Sequence, residues 1–195
     1  MPKQVILITG TPCVGKTTAA HLLTERLNAE YINLTELATR EKLTQGKDKK
    51  RNTTIINEKL MKNRLKQIIQ NSSKTSIIID GHYAPAVVPT SLTTHVFVLR
   101  RSPTELRKLM ENSGYTNAKL WENLASEILD TCLVDALNTQ KKAAICELDI
   151  TGKNTEQTVK QILDMLHNPQ KCHVGVVDWI GELERQGLLE EYLRI

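Results

Sequence analysis

Gly10, Gly15, Lys16 and Thr17 satisfy the spacing G-x-x-x-x-G-K-[ST] within the run GTPCVGKTT, Gly10–Thr18. Each residue type has a physical reason to be there. Glycines let the backbone turn its N–H groups inward around an anion. A lysine ammonium reaches β/γ-phosphate oxygens, and the hydroxyl of Thr17 is placed to hold Mg²⁺. Cys13 occupies a variable position of the loop. Magnesium in such a site needs a carboxylate at the end of a neighbouring strand. Asp80 closes the apolar run Ser76–Asp80 and is the candidate, shared between catalysis and metal binding. His82, two residues on, would orient a water or a phosphate. A thiol beside Lys16 and a helix N-terminus has the surroundings of a reactive cysteine, so Cys13 is an expected point of redox or thiol-reagent sensitivity.

Such residues work only if rigid elements hold them. Strands are predicted at Val5–Thr9, at the short segment Glu30–Asn33, at the continuous apolar runs Ser76–Asp80 and His95–Leu99, and at Ala143–Asp149. Strands that do not alternate apolar with polar residues are buried on both faces, as in a parallel sheet. Helices are predicted between and after them, over Lys16–Leu27, Thr35–Leu43, Glu58–Gln70, Pro103–Asn112, Asn117–Leu137 and Thr155–Leu166. This alternation predicts an open, doubly wound α/β domain over residues 1–166. Gln45–Asn52 reads as a mobile, basic loop, with Lys47, Lys49, Lys50 and Arg51 around Asp48; solvation, or contact with RNA or a substrate phosphate, would explain it. Asn112–Thr116 reads as a turn. Residues 167–195 form a tail that opens on Asn168-Pro169 and ends in an amphipathic helix over Trp179–Leu193, to dock on the domain or on another protein. Trp121, Leu124, Ile128 and Leu129 share a helix face and read as a packing seam rather than a base-stacking platform.

Composition narrows the class. The chain has 195 residues, 40% hydrophobic and 25% charged, which suits one globular domain. A net charge of +4 suits an anionic ligand without demanding nucleic acid. No apolar run approaches the roughly 18 residues of a membrane span, so no membrane partner is expected. The four cysteines form no C-x-x-C pair, so neither a zinc site nor a disulfide framework is expected, and a reducing cytoplasm is the default compartment. Cys132 and Cys146 read as buried small apolar residues.

There is no Asn-Lys-x-Asp guanine reader, and the chain is short for a helicase or transporter ATPase. A small-molecule kinase fits, with an acceptor-binding insert at about residues 33–57 and a lid at about residues 112–119.

Beyond the loop, YIN at Tyr31–Asn33, Leu37-Ala38, the D-x-H of Asp80–His82, FVLR at Phe97–Arg100, the GY at Gly114-Tyr115 followed by Lys119-Leu120, and Gly152-Lys153 recur in one order. Over residues 3–166 this pattern resembles the CINAP-type adenylate kinases, also called adenylate kinase isoenzyme six, and the tail GVVDWIGELE is similar to archaeal members. The resemblance implies a P-loop NTPase fold with a five-stranded parallel sheet in the order 2-3-1-4-5. It also implies nucleoside monophosphate kinase and ATPase activities, Mg²⁺ with ATP, and a small-subunit ribosomal protein or rRNA as partner. By the same resemblance Gly15, Lys16, Thr17 and Thr18 hold ATP phosphates, Lys153 lies in the loop packing on adenine, and Asn33 begins the monophosphate segment.

The chain departs from the pattern at Ser113, where an arginine usually precedes the lid GY, and at Arg40, one position past the family's arginine. Arg40 is retained as a substrate-binding candidate, and Arg100, ahead of Arg101, Arg107 and Lys119, as the catalytic cation that replaces the lost one. Three functions stay open: a nucleoside monophosphate kinase, an ATPase switch in ribosome assembly, and a kinase of a non-nucleotide metabolite. All three need the loop, so Lys16→Ala should abolish ATP turnover in a coupled ADP-release assay; retained turnover would overturn the loop assignment.

Overall fold

The computed structural model describes residues 3–48 and 53–193. Along the chain come β1 (Gln4–Thr9), α1 (Lys16–Leu27), β2 (Glu30–Asn33), α2 (Leu34–Arg40), β3 (Thr44–Asp48), β4 (Thr53–Ile56), α3 (Glu58–Asn71), β5 (Ser76–Asp80) and α4 (Ala84–Val87). Then follow β6 (His95–Arg100), α5 (Pro103–Asn112), α6 (Asn117–Ile128), α7 (Thr131–Thr139), β7 (Ile145–Asp149), α8 (Thr155–His167), α9 (Trp179–Arg185) and α10 (Leu189–Leu193). The main sheet has the order β2-β5-β1-β6-β7, and every pairing in it is parallel. Counting only its own strands, this is the order 2-3-1-4-5.

The apolar strands feed two cores. Ile6, Ile8, Ile78, Phe97 and Leu99 face one side, against α1, α5, α6, α8 and the tail. Val5, Leu7, Ile77, Ile79, Val96 and Val98 face the other, against α2, α3, α4 and α7. The period of two along each strand delivers successive side chains to opposite cores. Trp179, Leu183 and Tyr192 join the first core, so the tail docks on its own domain.

The structure departs from expectation in five places. The stretch Gln45–Asn52 begins as a strand: β3 and β4 form an antiparallel hairpin. Its residues Thr44–Asp48 (TQGKD) lack apolar alternation, so cross-strand pairing and not hydrophobic pattern makes the strand. Lys49, Lys50, Arg51 and Asn52 lie outside the described residues. The single helix expected over Asn117–Leu137 is two, α6 and α7, with Asp130 in the left-handed region at φ 57°. There the Glu127 carbonyl accepts the Asp130 N–H at 3.3 Å and Arg100 Nη2 at 2.8 Å, in place of the residue 131 N–H of a continuing helix. The tail helix is likewise divided, at Gly187, φ 68°. Helix α2 stops at Arg40 rather than Leu43. Finally, Cys146 of β7 is bonded to Cys172 at the root of the tail. Scattered spacing pointed away from a disulfide because it carries no information on how the chain returns to β7.

Arg100 ends β6 with its side chain 2% exposed. It meets Glu127 Oε1 at 2.8 Å, Glu147 Oε1 at 2.5 Å and Asp130 Oδ1 at 2.5 Å. Glu127 and Glu147 are as deeply buried, so each charge there survives only because it is paired. Truncating Arg100 would strand two buried carboxylates. Arg100→Leu should therefore destabilise the fold by roughly 3–5 kcal/mol, read from the urea midpoint at constant slope.

Candidate active site

Strand register brings the site together. Asp80 is level with Ile8 of β1 and with Asn33 of β2, so all three strands end at one edge of the sheet. The loop after β1 opens there. Gly10 has φ 140°, and a Cβ on it would meet the Leu99 carbonyl oxygen at 2.5 Å, so only glycine fits. Gly15, φ 114°, precedes α1, whose N-terminus has no side-chain cap and no acidic residue in its first turn. Helices α2, α3, α8 and α9 do have side-chain caps. The first N–H groups of α1 and the positive end of its dipole thus remain available to an anion. Cys13 sits at φ 65°, a conformation that costs a side-chain-bearing residue about 1 kcal/mol and glycine nothing.

Lys16 Nζ donates to the Thr11 carbonyl oxygen at 2.9 Å, inside the loop. Burial lowers its pKa, opposed chiefly by the nearby Asp80 charge. Asp80 is 2% exposed, and its Oδ2 accepts from Thr17 Oγ1 at 2.6 Å, Tyr31 OH at 3.1 Å and Asn33 Nδ2 at 3.2 Å. Asn33 also caps α2, its Oδ1 accepting from the N–H groups of Thr35 and Glu36. One side chain therefore orients the carboxylate and starts α2. Burial and the Lys16 charge push the His82 pKa down to about 4. The imidazole is neutral at pH 7, so it can exchange hydrogen bonds with water but adds no cation for a phosphate.

Two hollows flank the loop. One, about 560 Å³, is lined by Lys16, Asp80, His82, Tyr115 and Lys119. The other, about 320 Å³, is lined by Gly15, Thr18, Arg101 and Lys153. Cys13 borders both. The Thr17 hydroxyl and the Asp80 carboxylate are hard oxygen donors that fit Mg²⁺. Among the described residues no group of three or more His, Cys, Asp or Glu converges into a protein cage, and an ion carried in on nucleotide phosphates needs none.

Residues 6–130 match a family described as AAA domain. The curated protein named "Putative adenylate kinase" in Pyrococcus furiosus is 32% identical over 98% of both chains. Its namesake in Methanocaldococcus jannaschii is 37% identical over 89% of this chain and 92% of that one. The chain belongs to this archaeal adenylate-kinase-type family. It is a P-loop phosphotransferase of CINAP type. Solved structures agree on the fold: a shikimate kinase from Bacteroides thetaiotaomicron has a TM-score of 0.58 at 17% identity, covering 84% of this chain and 98% of that one. A thymidylate kinase from Candida albicans has a TM-score of 0.54 at 16% identity, covering 87% and 93%.

Against the family's pattern, the candidate cations separate. Arg100 was the expected catalytic cation, and the structure overturns that: its guanidinium is consumed by Glu127, Glu147 and Asp130 and does not line either hollow. As the last residue of β6, it points into the sheet–helix interior. Arg101, one residue later, reaches the loop instead, with Nε donating to the Val14 carbonyl at 3.1 Å and a second bond to Glu105. Arg107 pairs with Glu111 and Glu191 and stacks over Trp121 and Tyr192, so it holds the tail. Ser113 closes α5 through the Leu109 carbonyl. Lys119 lines the larger hollow, its Nζ 6.0 Å from the Tyr115 ring centre. Arg40 is exposed and lines a separate hollow of about 310 Å³ with Asn33 and Arg64, so it is not brought to Lys16 and Asp80. Lys153 lines the smaller hollow with Gly15, its Nζ bonded to the Asp149 carbonyl.

Sequence reasoning passed over Tyr31 as a site residue, although YIN adjoins the acceptor insert; a phenol aimed at a carboxylate on the next strand has no spacing signal. It also passed over Asn123, whose Nδ2 is buried without a partner on the wall of the larger hollow. If Thr17 and Asp80 hold the metal, Asp80→Asn should lower ATP turnover by about a hundredfold or more and flatten the Mg²⁺ dependence of ADP binding in calorimetric titrations.

Proposed function

We propose that the protein is an adenylate or nucleoside monophosphate kinase, transferring the γ-phosphoryl group of Mg·ATP to AMP or a related monophosphate. The observation that carries this reading is the pair of hollows lined by residues of one phosphate loop. The smaller takes the adenine end of ATP, against Arg101 and Lys153. The larger, bounded by Asn33, Thr35 and Lys119, takes the acceptor at the β/γ end. The name carried by the relatives and the resemblance to CINAP-type enzymes point the same way.

In this reading the chain works by positioning and charge neutralisation, with no covalent intermediate. Backbone N–H groups at the start of α1, from Gly15 to Thr18, and the Lys16 ammonium hold the transferred group between donor and acceptor. When bound with ATP, Mg²⁺ supplies further neutralisation of the phosphate charge, and Thr17 and Asp80 are the residues that would hold it. Residues 33–57 form the monophosphate-binding insert and residues 112–119 the lid. Lys119 is the cation the lid brings. Domain 1–166 carries the chemistry, and tail 167–195 braces it.

One observation favours ATP hydrolysis alongside. His82 is neutral and lies beside Lys16 and Asp80, where it could orient an attacking water when no acceptor is bound. An ATPase switch in small-subunit maturation, acting on a ribosomal protein or rRNA, rests on the CINAP resemblance and on the net charge of +4. The cysteine spacing that suggested a cytoplasmic location loses its force, because Cys146 and Cys172 are bonded. Among the described residues no helix is long and apolar enough to cross a membrane.

Incubating the purified chain with Mg·ATP and each monophosphate, and following ADP, phosphate and the phosphorylated acceptor together, tests the reading. The kinase predicts that AMP or a relative yields diphosphate without free phosphate. ADP accompanied only by inorganic phosphate, whatever acceptor is present, would overturn the kinase in favour of the ATPase.

A further inference from the structure

Glu127 is 1% exposed and lies on α6, outside the residues that line the larger hollow, yet every polar atom of its carboxylate is engaged. Oε1 accepts from Arg100 Nε at 2.8 Å, from the Arg101 N–H at 3.2 Å and from Trp179 Nε1 at 3.0 Å. Oε2 accepts from Thr11 Oγ1 at 2.5 Å. Thr11 is itself 1% exposed and is the second residue of the phosphate loop. Its carbonyl oxygen accepts both the Lys16 ammonium, at 2.9 Å, and the Val14 N–H, at 3.3 Å. One threonine thus faces two ways: its hydroxyl outward to a buried carboxylate, its carbonyl inward to the loop's working lysine.

We propose that Glu127 is a positioning residue for the phosphate loop, acting through the Thr11 hydroxyl, and that Trp179 of the tail is tied to the same carboxylate and reports on it. A hydrogen bond to a buried charge is stronger than one between neutral groups and fixes direction as well as distance. With the hydroxyl committed to Glu127, the Thr11 carbonyl is held toward Lys16 and Val14, and the loop keeps the shape in which its N–H groups face an anion. Phosphate oxygens entering the loop compete with the Thr11 carbonyl for the ammonium. The adjustment passes through Thr11 and Glu127 to the Trp179 indole. Nothing in the chemistry of phosphoryl transfer needs Glu127 to touch a nucleotide; its part is to hold the loop that does.

This rests on the loop binding nucleotide phosphates, and ADP affinity tests it whether or not AMP is the acceptor. The full chain carries two tryptophans, so Trp121→Phe leaves Trp179 as the only indole. In that background Mg·ADP should change the Trp179 emission. Thr11→Val, which keeps the shape and drops the hydroxyl, should weaken ADP binding about tenfold, the size expected for one charge-assisted hydrogen bond, and abolish the emission change. Thr11→Ser, which restores the hydroxyl, should bring both back. An emission insensitive to ADP with the native loop would overturn the proposal without any loop variant. So would Thr11→Val binding ADP within about twofold of the parent, or Thr11→Ser falling as far as Thr11→Val, since the side-chain volume and not the bond would then matter.

Discussion

A buried arginine must find its counter-charges, and much of this structure is arranged around that requirement. Arg100 lies at the C-terminal end of β6, where water cannot reach it, and it draws one carboxylate from β7, one from α6 and one from the α6–α7 junction. Each carboxylate then has lone pairs left over. Those of Glu147 bind the Gly175 and Val176 N–H groups and pin the root of the tail. Those of Glu127 bind Trp179 and Thr11 and tie the tail and the phosphate loop to one helix. Buried ion pairs add little net stability over apolar packing, but they penalise every arrangement that leaves a charge unpaired. Here that penalty fixes where α6 breaks, where the tail lies and how the loop begins.

The second constraint is the parallel sheet itself. Parallel strands must be joined by crossovers that return over a face, so their C-terminal ends collect on one edge together with the helix N-termini that follow. Asn33, Asp80 and the loop after β1 come from three strands separated by dozens of residues, yet register alone places them side by side. The Asp80 carboxylate then becomes the hub, because a buried anion gathers donors: Thr17, Tyr31 and Asn33 all point to one oxygen. The burial that gathers them also keeps His82 neutral and lowers the Lys16 pKa.

The sequence makes legible those features that one local rule controls. The five parallel strands, α1 and α5 were readable from apolar runs and from loop chemistry, and the loop from its glycine and lysine spacing. The hairpin of β3 and β4 was not, because TQGKD carries no apolar period. The break in α6–α7 was not, because its cause is Arg100, 27 residues before the Glu127 carbonyl it captures. The Cys146–Cys172 bond and the dock of Trp179 belong to the same class, since both depend on where the tail returns. Arg100 was assigned to catalysis for a related reason: a basic residue at the sheet's C-terminal edge looks the same in sequence whether its side chain turns to the cleft or to the core. Only the neighbouring acids on other elements decide, and they are far away in the chain.

That same sorting bears on how the lid can work. Arg101 is braced between the Val14 carbonyl and Glu105, and Arg107 is held by two carboxylates and two aromatic rings of the α6 and tail surface. Moving either would break several contacts at once. Lys119 is different: it is exposed, carried on the first turn of α6, and borders the larger hollow beside Tyr115. A lysine is a single point charge on a flexible stem, whereas an arginine offers a planar fork that grips two phosphate oxygens. In the proposed kinase, with Ser113 where the family pattern has an arginine, a lid carrying Lys119 would neutralise charge without fixing the angle of the phosphoryl group. In that reading orientation comes from the other side of the cleft, from the loop, tied to the buried network through Thr11 and Glu127, and from the Asp80 hub, held by Thr17, Tyr31 and Asn33.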